Sequence, residues 1–349
     1  MAISSVLGSS ALLPAGLGFR NKIINGDFGI NQRGFTSTTT SAAYGFDRWT
    51  NFTNGGLTYS AQTFTAGTTL NNNVPKNYAS LATSGQSSSS ALSVLAQRIE
   101  DVRNCAGQQV TVSFWAKAAS GTPKVAIEFL QNFGVGGSAE VEFLAGQVTL
   151  STSWARYSIT AVAPSINGKT IGTENTHSLG LLLWTSAGST YNTRSGSIGI
   201  QNNTIDFWGV QLEQNLQPTP FEQRPIGVEL QLCQRYYFRK KASTTAPYAV
   251  FGHAQFGGTS TTARAFVPAP VPMRTLINAI DYGGTLNMNQ HYVANYTATS
   301  ITSNVNSGTH ETQPEIGMTL SGAGPAAGTF GAFGAGNDAN AYIGFSAEL

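Results

Sequence analysis

The sequence predicts a mainly β protein: a jelly-roll β-sandwich, a short connecting helix and a second, smaller β-sandwich. Three observations predict it. Apolar residues recur with period two along most of the chain, turn-forming Gly, Pro, Ser and Asn punctuate those runs, and only one short stretch changes to a helical period. Charged residues are 10% of the 349, with a formal net charge of +2, against about 25% in an average soluble domain. That excludes the clustered basic surface from which nucleic-acid binders draw most of their affinity. A hydrophobic content of 41% with 10% aromatics can bury a core, so disorder is not expected. No apolar run approaches the ~20 residues that span a bilayer, so membrane insertion is not expected either.

Residues 1–19 are apolar and carry no charge before Arg20. They lack the basic start and the longer apolar core of a secretory signal, and Pro14 and Gly16 interrupt them. A sticky tail of this kind, with Val6, Leu7, Leu12, Leu13 and Leu17, is expected to dock on another protein as an assembly anchor.

Residues 20–217 read as the first β domain. Val110, Val112 and Phe114 alternate against Thr111, Ser113 and Trp115, and Val125, Ile127 and Phe129 repeat the pattern. The run 178–185, SLGLLLWT, is expected of a strand covered on both faces. Eight to ten strands in about 200 residues favour a jelly roll over an immunoglobulin-like unit. Trp49, Trp115, Trp154, Trp184 and Trp208 all fall in this region, mainly as core rings, although the parity of Trp115 and Trp208 allows an outer sheet face. The loop 186–199, SAGSTYNTRSGSIG, offers Tyr191, Asn192 and Arg194 beside Trp184. Rings and polar tips of this kind can stack on and hydrogen-bond a sugar, so these four are the candidate glycan-binding residues.

Pro218, Pro220 and Pro225 mark an extended joint. The joint and a helix of about three turns fill 218–241, Pro225 suiting a helix start. Val228, Leu232 and Tyr236 form a stripe at steps of four that a three-fold axis would cover, making them the candidate trimer contacts. Arg235, Arg239, Lys240 and Lys241 are expected at the helix C-terminus, where cations complement its dipole. Residues 242–349 return to short β segments, and GAGPAAGTFGAFGAG at 322–336 suits only tight turns or close backbone packing.

Cys105 and Cys233 stand alone, without metal-ligand spacing, and read as buried small hydrophobes. Glu140 and Glu142 could stand about 7 Å apart on one strand face, but adjacent acids there are expected to keep an edge soluble. No HExxH, GxSxG or P-loop pattern occurs, so no catalytic residue, metal or cofactor is assigned.

Seven segments taken in order carry a resemblance. They are IINGDFGINQRG (23–34), YGFDRW (44–49), AGQQVTVSFWAKAASGTPKV (106–125), FGVGGSAEVE (133–142), STSWARYSIT (151–160), FWGVQLEQN (207–215) and TPFEQRPIGVELQLCQRYY (219–237). Together they resemble a family of bacteriophage tail-fibre and virion-surface proteins whose jelly-roll domain is similar to carbohydrate-binding modules. The resemblance implies a non-enzymatic virion protein, made in the host cytoplasm and carried on the phage tail. It further implies a homotrimer joined to other tail or baseplate proteins through its N-terminus, attaching to host surface polysaccharide. A structural role as baseplate, adaptor or head-decoration subunit is the alternative. Some related modules hold calcium near the first and last strands, where Asp27 and Asp206 stand here; two isolated acids fit a turn cap and a strand end better.

Overall fold

The computed structural model describes residues 19–173, 175–257, 261–290, 294–303, 310–322 and 324–349. The expected anchor residues Val6, Leu7, Leu12, Leu13 and Leu17 therefore lie outside the described residues.

The first part of the chain alternates in and out of a two-sheet antiparallel jelly-roll sandwich. Its strands are β1 (Ser37–Thr38), β2 (Thr50–Thr53), β3 (Leu57–Thr63), β4 (Asn77–Thr83), β5 (Leu92–Glu100) and β6 (Gln109–Ala118). Then follow β7 (Lys124–Asn132), β8 (Val141–Thr149), β9 (Ala155–Val162), β10 (Ser178–Ala187) and β11 (Thr204–Glu213). One sheet has the order β1-β3-β4-β11-β6-β9 and the other β2-β5-β10-β7-β8. Residues of one parity meet between the sheets: Val112, Phe114 and Phe207 from the first, Leu95, Ile127, Phe129, Leu181 and Leu183 from the second. Each such side chain contributes about 1.5–3 kcal/mol when fully buried. β10 is buried at all ten positions. It lies between β5 and β7, and its outward residues are covered as well. Cys105 and Cys233 are buried free thiols, and burial pushes the Cys105 thiol up to about 11.

The outward parity of Trp115 and Trp208 is real, but neither ring is exposed. Their rings meet at 5.2 Å, and Phe221, from the proline-rich segment, lies 5.2 Å over Trp208. Phe64 adds an edge-on contact to Trp208, and the Arg156 guanidinium covers Trp115 at 4.7 Å.

A 3-10 turn (Ser189–Tyr191) and α1 (Asn192–Ser195) lie in the loop after β10, and α2 (Ile226–Gln234) follows β11. The helix ends at Gln234, before the last position of the expected stripe, Tyr236, and a different face of it is buried. Glu229 and Cys233 point inward, while Val228 and Leu232 are only half-buried on the flank. Glu229 fixes this rotation by accepting hydrogen bonds from the Asn25 backbone N–H and from Arg224 at 3.0 Å. Tyr236 is buried within the chain and is not a free trimer contact. The Arg48 guanidinium stacks on its ring at 3.5 Å, and its hydroxyl donates to Glu100 at 3.0 Å.

Residues 237–241 form a strand, β12 (Tyr237–Lys241), so Arg239, Lys240 and Lys241 do not cap the helix. The alternation starting at Tyr237 prevails over the helical period because Phe238 gains a stacked partner in Phe345 at 5.0 Å. The remaining strands are β13 (Val250–Phe256), β14 (Thr262–Phe266), β15 (Ala279–Gly283), β16 (Leu286–Gln290), β17 (Ala294–Ser303), β18 (Glu315–Leu320), β19 (Phe330–Ala335) and β20 (Tyr342–Ser346). This part is β-built as expected, but its main sheet closes into a barrel, β13-β14-β18-β17-β16-β19, beside a three-stranded sheet β12-β20-β15. The closing strand is the glycine-rich β19, which pairs with both β13 and β16. A Cβ on Gly331 would stand 2.4 Å from the Asn289 carbonyl oxygen, and one on Gly334 2.2 Å from that of Ala249. Only glycine permits that approach, and closure gives each of the described barrel strands a partner on both sides.

The chain after β20 returns to the sandwich. Ala347 N–H donates to the Tyr236 carbonyl at 2.8 Å, and Glu348 enters an ion pair with the fully buried Arg48. The Leu349 carbonyl oxygen accepts from Arg98 at 2.8 Å and from the Tyr44 hydroxyl at 2.9 Å. Burial and the neighbouring Glu348 push the Tyr44 phenol up to about 12.

Candidate functional site

Strand register lays out the outer face of the five-stranded sheet as rungs. One rung runs Phe52, Val94, Trp184, Ala126, Gln147 from β2 to β8, and the next Thr50, Ala96, Leu182, Glu128, Leu144. A third runs Arg98, Gly180, Leu130, Glu142, and Ser178 and Asn132 pair at the far end. With strands about 4.8 Å apart, this face is roughly 19 Å wide.

The predicted residues Trp184, Tyr191 and Arg194 do come together here. Tyr191 lies 5.2 Å from the Trp184 ring, and the Arg194 guanidinium sits over the same ring at 5.2 Å. Asn192 is exposed beside them. Trp184, however, is only 1% exposed, so the expectation that it stacks on a sugar is not met. The loop folds back over the sheet instead of projecting from the end of the sandwich. Glu128, a residue outside the predicted set, is the cause. Its carboxylate accepts from Trp184 Nε1 at 2.7 Å and from Arg194 Nε and Nη2 at 2.7 and 3.1 Å. Arg194 also pairs with Glu142 at 2.9 Å, and Gln147 Nε2 donates to the Ser195 carbonyl at 2.9 Å. Burial holds the Glu128 carboxyl above the usual range, against the pull of Arg194 and Trp184. The signal was present in KVAIEFLQN: the parity that sends Val125, Ile127 and Phe129 inward sends Glu128 to the face that carries Trp184.

Beyond the loop the face is open. Phe52, Leu92, Leu130, Leu144 and Tyr191 are half-buried apolar side chains packed around a buried floor that includes Ala96 and Leu182. Gly180 leaves a dip between Arg98 and Leu130, since a Cβ there would stand 3.3 Å from Leu130 Cβ. The dip holds about 30 Å³ and is lined by Phe52, Ala96, Arg98, Leu130, Asn132, Ser178, Gly180 and Leu182. That is room for little more than a water, so a ligand would lie across the strip and not inside it. Arg98, Asn132, Glu142 and Arg194 supply a polar rim. Arg98 is held by the Leu349 carbonyl, and Asn132 donates to Glu140. Glu140 and Glu142 are thus engaged with separate partners, one with Asn132 and the other with Arg194.

Asp27 and Asp206 do not meet. Asp27 accepts from the Gly29 N–H at 3.1 Å as a turn cap, and Asp206 pairs with Lys117 at 3.4 Å. Among the described residues no group of three or more His, Cys, Asp or Glu could hold a metal ion. No described helix is long and apolar enough to cross a membrane.

Fold and face together define a β-sandwich protein with a solvent-facing apolar strip. No family model matches the chain, and no curated protein matches it in sequence. Among solved structures it is similar to the CBM22-2 xylan-binding domain of Paenibacillus barcinonensis Xyn10C, at 15% identity and a TM-score of 0.32, over 48% of this chain and 92% of that one. It is also similar to the family 11 carbohydrate-binding module of Clostridium thermocellum in complex with a β-1,3-1,4-mixed-linked tetrasaccharide, at 10% identity and 0.32, over 53% and 99%. A third is the enzymatically active domain of bacteriophage CBA120 tailspike protein 4, at 14% identity and 0.33, over 56% of this chain and 22% of that one.

Proposed function

We propose that this protein is a non-catalytic saccharide-binding subunit of a phage tail, which attaches the virion to host surface polysaccharide through the open strip of the five-stranded sheet. The observation that carries this reading is the pairing of half-buried apolar side chains with a fixed polar rim on a rigid sheet. Phe52 and Tyr191 offer rings to the apolar face of a sugar. Arg98, Asn132, Arg194 and Glu142 offer donors and acceptors to its hydroxyls. So shallow a contact gives weak single sites. Assembly as a homotrimer, made in the host cytoplasm, with Val228 and Leu232 as the available helix contacts and the N-terminal segment docked on another tail protein, would supply avidity of ~10²–10⁴.

An array of bacterial surface polysaccharides tests it, read with the full chain and with Leu130→Asp. The reading expects at least one polysaccharide to be retained by the wild type and lost by the variant. A wild-type protein that binds none, while Leu130→Asp blocks incorporation into virions, would make the strip a contact for another virion protein. Release of saccharide fragments from the array would overturn the non-catalytic part.

A further inference from the structure

The barrel carries a second recess, unrelated to the strip. In β14, Ala263 and Ala265 point into the barrel, as do Ile316 and Met318 in β18 and Ile301 in β17. The alternate residues therefore share its outer surface. Register sets Thr262, Thr319 and Ser300 in one row and Arg264, Gly317 and Thr302 in the next. Gly317, between Arg264 and Thr302, leaves a gap in which a Cβ would stand 3.2 Å from Thr302 Oγ1. The result is a groove of about 340 Å³, at the small end of the ~300–1,000 Å³ typical of small-ligand sites. Its described walls carry the hydroxyls of Thr262, Ser300, Thr302 and Thr319 and the Arg264 guanidinium, with Gly257, Ala263, Gly317 and Met318 between them. Among the described residues no aromatic ring lines it, which disfavours a flat apolar ligand, and no carboxylate lines it, which disfavours a cation. The Arg264 side chain is 55% exposed, and the buried Glu315 pairs with its Nη1 at 3.5 Å. That contact steadies one end of the fork, and the half-exposed side chain borders the groove.

We infer that this groove binds a carboxylate-bearing sugar ring of an acidic polysaccharide. The carboxylate would accept from Arg264 in a charge-assisted pair. The ring would lie over Gly317, its hydroxyls exchanging hydrogen bonds with Ser300, Thr302 and Thr319. The site goes beyond the strip, sharing no residue with it.

Titration calorimetry of the full chain with trigalacturonate, and with maltotriose as the neutral control, tests the assignment. Trigalacturonate should bind and maltotriose should not displace it. Arg264→Gln should weaken binding about tenfold or more, and the isosteric Thr302→Val about fivefold. Thr302→Val retains the Arg264–Glu315 pair and so guards against a folding defect in the first variant. Leu130→Asp, which removes the strip, should bind trigalacturonate as the wild type does, which separates failure of one site from failure of the other. No trigalacturonate binding, equal affinity in both groove variants and wild type, or equal competition by maltotriose would overturn the assignment.

Discussion

The two outer faces of the sandwich are built from similar material and end differently. On the six-stranded sheet, Trp115 and Trp208 face outward and are sealed by Phe221, Phe64 and Arg156. On the five-stranded sheet, Trp184 faces outward and is sealed by Tyr191 and Arg194, but the cover stops there, leaving Phe52, Leu92, Leu130 and Leu144 half-buried. Outward rings alone therefore do not mark a binding face in this molecule. What distinguishes the five-stranded face is the surface that remains open after the chain has covered its own aromatics.

The strongest way to break that contrast is to remove a sealed ring. Trp208→Ala should cost about 3–5 kcal/mol, as large-to-small changes at buried aromatics do, seen as a lower urea midpoint at unchanged slope. A Trp208→Ala protein of wild-type stability would mean that the six-stranded face is not sealed. Next in size is Arg194→Gln, which strips the cation from a buried Glu128. Breaking a fully buried pair costs ~3–5 kcal/mol; because the Arg194 side chain keeps 22% exposure, about 2 kcal/mol is expected. Amide exchange should rise at 189–196 and stay unchanged in β6, and a loop as protected as before would show that Glu128 does not hold it.

The smallest effect sharpens the join near β5. Burial raises the Glu100 carboxyl, but Arg235, hydrogen-bonded at 2.8 Å, and the Tyr236 hydroxyl outweigh it, so its pKa is lowered from the ordinary 4.5. The stability it contributes is full above 4.5 and is lost as pH falls through its depressed value. Because the pair is partly exposed, Glu100→Gln should cost about 0.5 kcal/mol near pH 6. Chemical denaturation should show the gap to wild type closing as pH falls below the ordinary 4.5. A gap that widens on acidification would reverse the assigned direction.

Much of the fold was legible because strand patterning is a local property: β6 and β7 follow from Val112 and Ile127 and their alternate neighbours, and β10 from the near-continuous apolar run at 178–185. The burial of Trp184 was not, since it depends on Arg194 meeting Glu128, 66 positions away. Helix rotation escaped the Val228–Leu232–Tyr236 stripe for a like reason. Glu229 is polar, yet it is drawn inward by the Asn25 backbone N–H, 204 positions away, and by Arg224 just before the helix. Barrel closure depends on which strands β19 joins, and its glycines reveal only that something approaches closely. Of the candidate site, the sequence supplied Tyr191, Asn192 and Arg194 but not the strip itself, because Phe52, Leu92, Leu130 and Leu144 come from separate strands.

The most direct test is a hydrogen-exchange footprint of the whole chain, with and without a polysaccharide retained on the array. Protection should appear in β2, β7 and 189–196 and leave β4 and β9 unchanged. Protection confined to β4, β6 and β9 would place the ligand on the sealed face and contradict the account.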